Sequence, residues 1–498
     1  PMIKHYPEEH SIAGNNVQQI AENLAEEARH QLHLGDGPIP VLRDLLETEI
    51  GLRIYYLPIQ PNNPAIARYE KKCKGCRECI AVCKDVQKVY GNYKASKTHH
   101  VCIHCGACIS HCTHGALSEK YNWQDVLQAI DDPSKIVIAS ISPSVPAGIG
   151  DYFGIPSGSY LSEDITGACR NLGFDYVLDT NFSADLTIME EAHELQKRIE
   201  GKVNMPQFTS CCPAWVKYVE IFYPSLINHL STTRSPIGMQ GAMVKTYFAQ
   251  KKGIDPKNII HVAIAPCTAK KYEITREELM TNGLRSTDIA ITTNELAIML
   301  KSRNVELSAR KEPFDQFMGT ASGAGKLFGN TGGVMSAAIR TAHFNMTGKN
   351  PAADLVELKQ IHGLEGLKTA TVNIGGKALK VAVCYEMRNA QILLDQVASG
   401  SCEYDFIEVM SCKGGCIGGA GQPTSDINNL EARIKALSTA DSQAATRFCH
   451  ENPEIISIYK DFIGKPGGTI SEQYLHTHFT DKSSLLEPIL AQMQLEPA

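Results

Sequence analysis

Three stretches far apart in the chain each place a cysteine directly after a run of apolar, β-branched residues. They are Thr209-Ser-Cys-Cys-Pro-Ala-Trp215, Ala265-Pro-Cys-Thr-Ala-Lys270 and Glu408-Val-Met-Ser-Cys-Lys-Gly-Gly-Cys-Ile-Gly-Gly-Ala-Gly-Gln-Pro423. Such a run reads as a buried strand. Runs of this kind lie at 135–142, 175–180, 207–210, 259–265, 289–293, 379–384 and 406–410. Helical periodicity separates most of them, as at 186–200 and 238–250. Continuous apolar strands alternating with helices imply an α/β fold, a parallel sheet covered on both faces. Ligands in such sheets sit beyond the carboxyl ends of the strands, where Cys212, Cys267 and Cys412 all fall. Packing alone does not bring three strands to deliver a cysteine to one edge. Cys212, Cys267, Cys412 and Cys416 are therefore expected to hold an iron–sulfur centre. Cys211 is expected to do something else, because a vicinal pair closes on itself only with backbone strain.

The last stretch is rich in glycine. Gly414 and Gly415 lie between Cys412 and Cys416, and Gly418, Gly419 and Gly421 follow. Glycine permits positive φ and close backbone approach. A surface turn would use the same residues. With the distant cysteines converging, the expected form is a loop wrapped round a cluster, its N–H groups aimed at sulfur.

A second cysteine pattern stands nearer the start. Cys73, Cys76, Cys79 and Cys83 repeat in spacing as Cys102, Cys105, Cys108 and Cys112. The spacing is that of a two-cluster ferredoxin. Three cysteines on a tight loop wrap three corners of a cubane and the other repeat supplies the fourth. Cys73, Cys76, Cys79 and Cys112 are assigned to one 4Fe–4S cluster. Cys102, Cys105, Cys108 and Cys83 are assigned to the other. Lys84 and Thr113 stand where a proline is usual, which affects the turn rather than the thiolates. Such C-x2-C pairs also bind zinc, but the doubled arrangement favours iron and sulfur.

Seventeen cysteines in all point to metal binding or redox chemistry in a reducing compartment. Cys169, Cys384, Cys402 and Cys449 stand alone and read as buried apolar residues. A net charge of -6 argues against nucleic acid as partner, which calls for a basic footprint. No apolar run reaches the ~18 residues of a membrane span. No charged-then-apolar leader is present, so the cytoplasm is the expected compartment. Four segments are expected. Residues 1–65 form a mostly helical extension, with helices at 15–34 and 41–49, a short strand at 53–57 and a proline-marked linker. Residues 66–120 hold the two clusters in an α+β domain. Residues 121–425 are the α/β domain, and 426–498 a helical tail with helices at 428–437 and 454–462. His476 and His478 in that tail show no site.

The three cysteine stretches resemble the signature motifs of the FeFe-hydrogenases, and the resemblance runs from about residue 70 to about residue 480. The form Thr-Ser-Cys-Cys-Pro-Ala-Trp is similar to that of a less-studied subgroup of the monomeric enzymes. The resemblance implies parallel sheets in two lobes around an H-cluster, a 4Fe–4S cube joined by one cysteine to a diiron unit. That unit bears carbon monoxide, cyanide and an azadithiolate. Carried over by motif, Cys212, Cys267, Cys412 and Cys416 hold the cube, with Cys416 as the bridge. Lys270 donates to one cyanide, and Ser144 to the other beside the backbone near Pro143. Met410 is counted among the residues around the cofactor.

The same resemblance makes Cys211 the thiol that hands protons to the bridging amine. Glu191, Glu194 and Ser231 match the rest of the proton route. On sequence alone, glutamates three apart on a helix would more often be a solvated face. The implied activity interconverts molecular hydrogen with protons and electrons. Its partners would be a ferredoxin or similar small carrier, and maturation proteins for the diiron unit. No flavin or nicotinamide fingerprint is present.

The chain departs from the usual pattern at several places. Ala265 stands where methionine is common, Ala214 for glycine, Ile237 for glutamine and Ser336 for glutamate. Ala420 interrupts the last glycine run. These changes bear on bias, rate and oxygen tolerance. Three other functions share parts of the pattern: a hydrogen sensor, an iron–sulfur assembly protein and a plain electron carrier. Cys211 speaks against the first. Lys270, Glu191 and the four ligand cysteines speak against the second. The third leaves everything after residue 115 unexplained.

Overall fold

The computed structural model divides into two compact units, residues 1–57 and 58–498. It describes residues 63–69, 72–90, 101–424 and 426–486. The helices expected at 15–34 and 41–49 and the strand at 53–57 lie outside the described residues, as does the end of the tail.

Strand β1 (Ile66–Arg68) pairs antiparallel with β2 (Leu117–Glu119). Between them the two cysteine runs each wind into a four-residue helical turn, Glu78–Ala81 and Ala107–Ser110. Each turn is entered through a left-handed residue, Arg77 in one and Gly106 in the other. That kink turns the chain back on itself after each pair of cysteines.

Two four-stranded sheets follow. One has the order β4-β3-β6-β7 and is parallel throughout. Its strands are β3 (Ile136–Ile141), β4 (Tyr176–Asp179), β6 (Ile259–Ala265) and β7 (Ile289–Thr292). The other has the order β5-β10-β9-β8. It contains β5 (Gln207–Phe208), β8 (Leu367–Ile374), β9 (Lys377–Tyr385) and β10 (Phe406–Met410). Here the expectation of parallel strands needs correction at one edge. β8 runs antiparallel to β9. The hairpin between them turns on Gly375 and Gly376, both at positive φ, as a type I′ turn demands. β8 escaped the sequence reading because it alternates polar and apolar residues, as a half-exposed edge does.

The Thr180–Gly201 helix lies between two cores. Ala184, Ile188, Ala192 and Leu195 enter the core under the second sheet. Phe182 and Leu186 enter the core beside the first. A helix covered on both sides has no solvated face in its middle, so Glu190 and Glu191 are buried. It starts six residues before the expected Leu186, where Asp179 accepts the Asn181 N–H at 2.9 Å and caps the helix. The Gly333–Thr347 helix packs against it in the same core. That helix is buried throughout Gly333–Ala342, with Ser336, Arg340 and Thr341 among its buried residues, and so gave no periodic signal.

Candidate active site

The cysteine stretches leave from both sheets rather than from one edge. Cys211 and Cys212 follow β5, Cys412 follows β10, and Cys267 follows β6 of the other sheet. Two hydrogen bonds bind the β5 and β10 stretches together, and a third holds the first stretch on itself. Thr209 N–H donates to the Ile407 carbonyl at 3.0 Å. Val409 N–H donates to the Thr209 hydroxyl at 3.3 Å. The Trp215 indole donates to the Thr209 carbonyl at 3.0 Å.

The glycine loop joins the two sheets. Gly421 N–H donates to the Pro266 carbonyl at 2.9 Å. A Cβ on Gly419 would stand 2.3 Å from that same oxygen. Gly415, at φ +95°, has the Thr331 nitrogen 2.6 Å from where its Cβ would be. Only a side-chain-free loop fits this seam. The N–H groups at sulfur come mostly from elsewhere. Cys212 stands at the N-cap position of the Pro213–Phe222 helix without a side-chain capping bond; burial raises its thiol, while the nearby amides of Trp215, Ser411 and Ala214 favour the thiolate, as those of Ala269 and Lys270 do at Cys267.

Two adjoining cavities open between the sheets. One, of about 400 Å³, is lined by Cys212, Cys267, Cys412, Cys416 and Cys105. The other, of about 520 Å³, is lined by Pro143, Ser144, Ala265, Ile237 and Phe328. Cys416 lines both, together with Cys211, Cys267, Lys270 and Met410.

The residues fit a two-part metal cofactor. Burial pushes the Cys267 thiol up to about 11, and Cys412 and Cys416 also upward, with neighbouring thiols adding to it. Such thiols ionise readily only beside a cationic metal. The Ser144 hydroxyl is fully buried and has no partner in the protein. Among the described residues, no three His, Cys, Asp or Glu side chains close on a single ion.

Lys270 reaches the Cys211 carbonyl at 3.1 Å and pairs with Glu273 at 2.6 Å. Burial opposes its charge, but Glu273 holds its pKa above the usual ammonium value. Glu273 was missed in the sequence, although its position three residues on is a pairing signal.

Behind Cys211 stands a buried acid. Burial pushes Glu191 well above the carboxylate range, with Glu194 and Glu408 adding to it. One Glu191 oxygen has no partner. Burial and then Glu191 push the Cys211 thiol far up, so it holds its proton. Ser231 donates to Glu194 at 2.7 Å, meets the Thr233 hydroxyl at 2.9 Å, and lies near Glu191. Glu194 further pairs with Arg198 at 2.6 Å and accepts the Thr232 N–H at 3.0 Å. Glu191 thus neighbours Cys211 on one side, and Ser231 and Glu194 on the other. Arg198 was missed, though it lies at i+4 from Glu194.

His476, read as showing no site, is a fastening for the tail. It meets the Thr232 hydroxyl at 2.8 Å and the Glu190 carboxylate at 3.1 Å. Ser336, at a departure from the usual pattern, bonds to His362 at 3.0 Å.

The two-repeat segment docks against the same site. Thr268 donates to the His104 carbonyl at 2.8 Å, and Gln87 to the Ser411 carbonyl at 3.1 Å. Burial and then Cys112 and Cys76 raise the Cys79 thiol. Burial takes Cys83 to about 12, with Cys102 adding to it. Cys108 is raised by burial and then by Cys105 and Cys102. Cys105 in turn faces Cys267 and Cys412. Cys73 and Cys76 are exposed at the far end.

Residues 135–420 match the family model described as iron only hydrogenase large subunit, C-terminal domain. Residues 427–482 match the iron hydrogenase small subunit. The chain is 39% identical to the NADP-reducing hydrogenase subunit HndD of Solidesulfovibrio fructosivorans, over 84% of this chain and 75% of that one. It is 41% identical to iron hydrogenase 1 of Clostridium pasteurianum, over 72% of this chain and 64% of that one. The solved structure of the [FeFe]-hydrogenase HydA1 from Chlamydomonas reinhardtii superposes with a TM-score of 0.65 at 36% identity. That match covers 72% of this chain and 98% of the other.

Proposed function

Because this chain belongs to the iron-only (FeFe) hydrogenase family, we propose that it reversibly interconverts molecular hydrogen with two protons and two electrons. It is an oxidoreductase, and its family carries an H-cluster and iron–sulfur clusters. The observation that carries the proposal is the pair of adjoining cavities with Cys416 in both. When bound, the H-cluster supplies the two-electron chemistry of hydrogen.

The protein's own groups do the rest. Cys212, Cys267, Cys412 and Cys416 would hold the cofactor's iron–sulfur part, with Cys416 placed toward the second cavity. The Lys270 ammonium and the Ser144 hydroxyl, next to Pro143, would donate to anionic ligands there. Met410 and Phe328 keep it dry. The Cys211 thiol holds the proton to be delivered. Glu191 resupplies it, Ser231 bridges the two glutamates, and Glu194 collects protons near the surface. Hydrogen turnover with a reduced dye, on protein matured with the diiron precursor, tests this reading. A fully loaded but inert protein contradicts it.

Cys73, Cys76, Cys79 and Cys112 would hold one 4Fe–4S cluster and Cys102, Cys105, Cys108 and Cys83 a second, and these would supply electron transfer between a ferredoxin-like carrier and the cavity. The exposed end at Cys73 and Cys76 and the inner end at Cys105 support that order. Cys76→Ser and Cys105→Ser are each expected to alter one reducible cluster by EPR and lower the iron count. If neither changes the spectrum, the assignment is wrong. Residues 1–65 serve as an extension, 66–120 as the electron inlet, 121–425 as the catalytic domain and 426–498 as a tail clasping it. Maturation proteins supply the diiron unit. The cytoplasm is the proposed compartment; no helix among the described residues is long and apolar enough to cross a membrane.

Glu273→Gln is expected to lower turnover roughly tenfold, the loss of ~1.4 kcal/mol of ion pairing. Without Glu273, burial lowers the Lys270 pKa. The alkaline limb of the pH–rate profile should then move to lower pH. An unchanged limb contradicts the role given to Glu273.

A further inference from the structure

A lysine buried beside the second cysteine repeat has no anion to pair with. Lys217 lies on the Pro213–Phe222 helix and is 7% exposed. Its ammonium meets the His104 Nε2 at 2.8 Å and stands over the Tyr272 ring at 4.1 Å. Among the described residues no carboxylate pairs with it. Glu220, one turn on along the helix, is engaged by Arg276 at 2.9 and 2.7 Å and by Lys482 at 2.8 Å. The seat of the ammonium is built. Asn63 Oδ1 accepts the Ala65 and Ile66 N–H groups at 2.9 and 3.1 Å, so the His104 Nδ1–H donates to it at 3.2 Å. That fixes the tautomer and leaves Nε2 a lone pair for Lys217. His104 is held at φ +61°, uncommon for any residue but glycine. Its backbone N–H donates to the Cys102 sulfur at 3.3 Å. An ammonium buried without an anion is strongly disfavoured, so the seat calls for a negative group close by.

We propose that Lys217 is the built-in counter-charge of the 4Fe–4S cluster at Cys83, Cys102, Cys105 and Cys108, and that it raises that cluster's reduction potential. The proposal rests on the reading of those four cysteines as one ligand set; Cys105, Cys102 and Cys83 all act on the Cys108 thiol. Burial lowers the Lys217 pKa to about 8, and Cys102 is the strongest influence against that fall. The ammonium is therefore charged near neutral pH. Four thiolates give such a cluster a net negative charge, which grows by one when it takes an electron. A fixed cation in a poorly polarisable interior favours the reduced form. No bond forms or breaks and no proton moves. Cys105 of this set adjoins Cys267 and Cys412. An electron entering at the exposed end is thus drawn inward, to the cluster beside the cavity.

The test is an EPR-monitored redox titration of the full chain carrying its 4Fe–4S clusters. Cys105→Ser identifies the signal of the inner cluster and Cys76→Ser that of the outer one. Lys217→Met should lower the inner midpoint potential by about 59 mV or more, a tenfold or greater loss of electron affinity. The outer midpoint should stay in place. Lys217→Arg keeps the charge and should restore most of the inner potential. Iron content equal to that of the unsubstituted protein establishes that the variants are loaded. An unmoved inner midpoint in Lys217→Met overturns the counter-charge and leaves the ligand reading standing. If Lys217→Met loses the inner cluster and Lys217→Arg keeps it, the cluster depends on the charge and the proposal stands. Loss in both makes Lys217 a packing residue and overturns it. If Cys105→Ser disturbs no cluster, the ligand reading fails, and the proposal with it.

Discussion

Cys416→Ser is expected to yield a folded protein with hydrogen turnover reduced by roughly a thousandfold or more, about 4 kcal/mol on the barrier. Cys416 lines both cavities from the glycine loop, as Cys267 does from the other sheet, and it is the cysteine proposed to bridge the two parts of the cofactor. Serine keeps the size, so the loop and its seam with Pro266 should survive. What is lost is the soft thiolate. A serine oxygen is a hard donor with little affinity for iron in a sulfur environment, and it ionises far less readily than even a buried thiol. The iron count should stay near that of the two N-terminal clusters, and the infrared bands of the diiron ligands should vanish or weaken severely. A Cys416→Ser protein with intact bands and full turnover would overturn the bridging role.

Cys211→Ser should separate proton delivery from cofactor binding. Cys211 lines the same cavities, and its carbonyl accepts the Lys270 ammonium. That backbone bond survives the substitution. The thiol itself faces Glu191, and burial keeps it protonated. A thiol can release and regain that proton; a hydroxyl holds it too tightly to cycle. Turnover should therefore fall about a hundredfold or more, with the infrared bands retained. Cys211→Asp restores an ionisable group and should keep part of the rate. Glu191→Gln should resemble Cys211→Ser, since it removes the next proton site at equal size. Near-normal turnover in Cys211→Ser would reduce Cys211 to a packing residue. Loss of the bands would make it structural and end the division of labour with Cys212.

Much of this site was legible because strands and cysteines are local signals. Ile259–Ala265 and Phe406–Met410 read as strands to the residue, and the ligand cysteines follow them directly. That they leave two different sheets was not legible, since a strand's apolar run does not say which neighbour it pairs with. β8 was missed because an edge strand carries polar residues on its open face. The burial of Glu191 was equally hidden: it depends on the Gly333–Thr347 helix covering one side and the Pro236–Met243 helix the other. The clasp of Glu190 on His476 joins residues nearly three hundred apart, a pairing no local pattern encodes. Arg198 and Glu273 differ, because their i+4 and i+3 spacing could have been read.

Infrared spectroscopy of the full chain, matured with the diiron precursor, tests the central claim most directly. The account predicts bands of iron-bound carbon monoxide and cyanide, which shift when hydrogen is added and are severely weakened in Cys416→Ser. A preparation with a full complement of iron and no such bands would show that the cavities between the sheets hold a different cofactor.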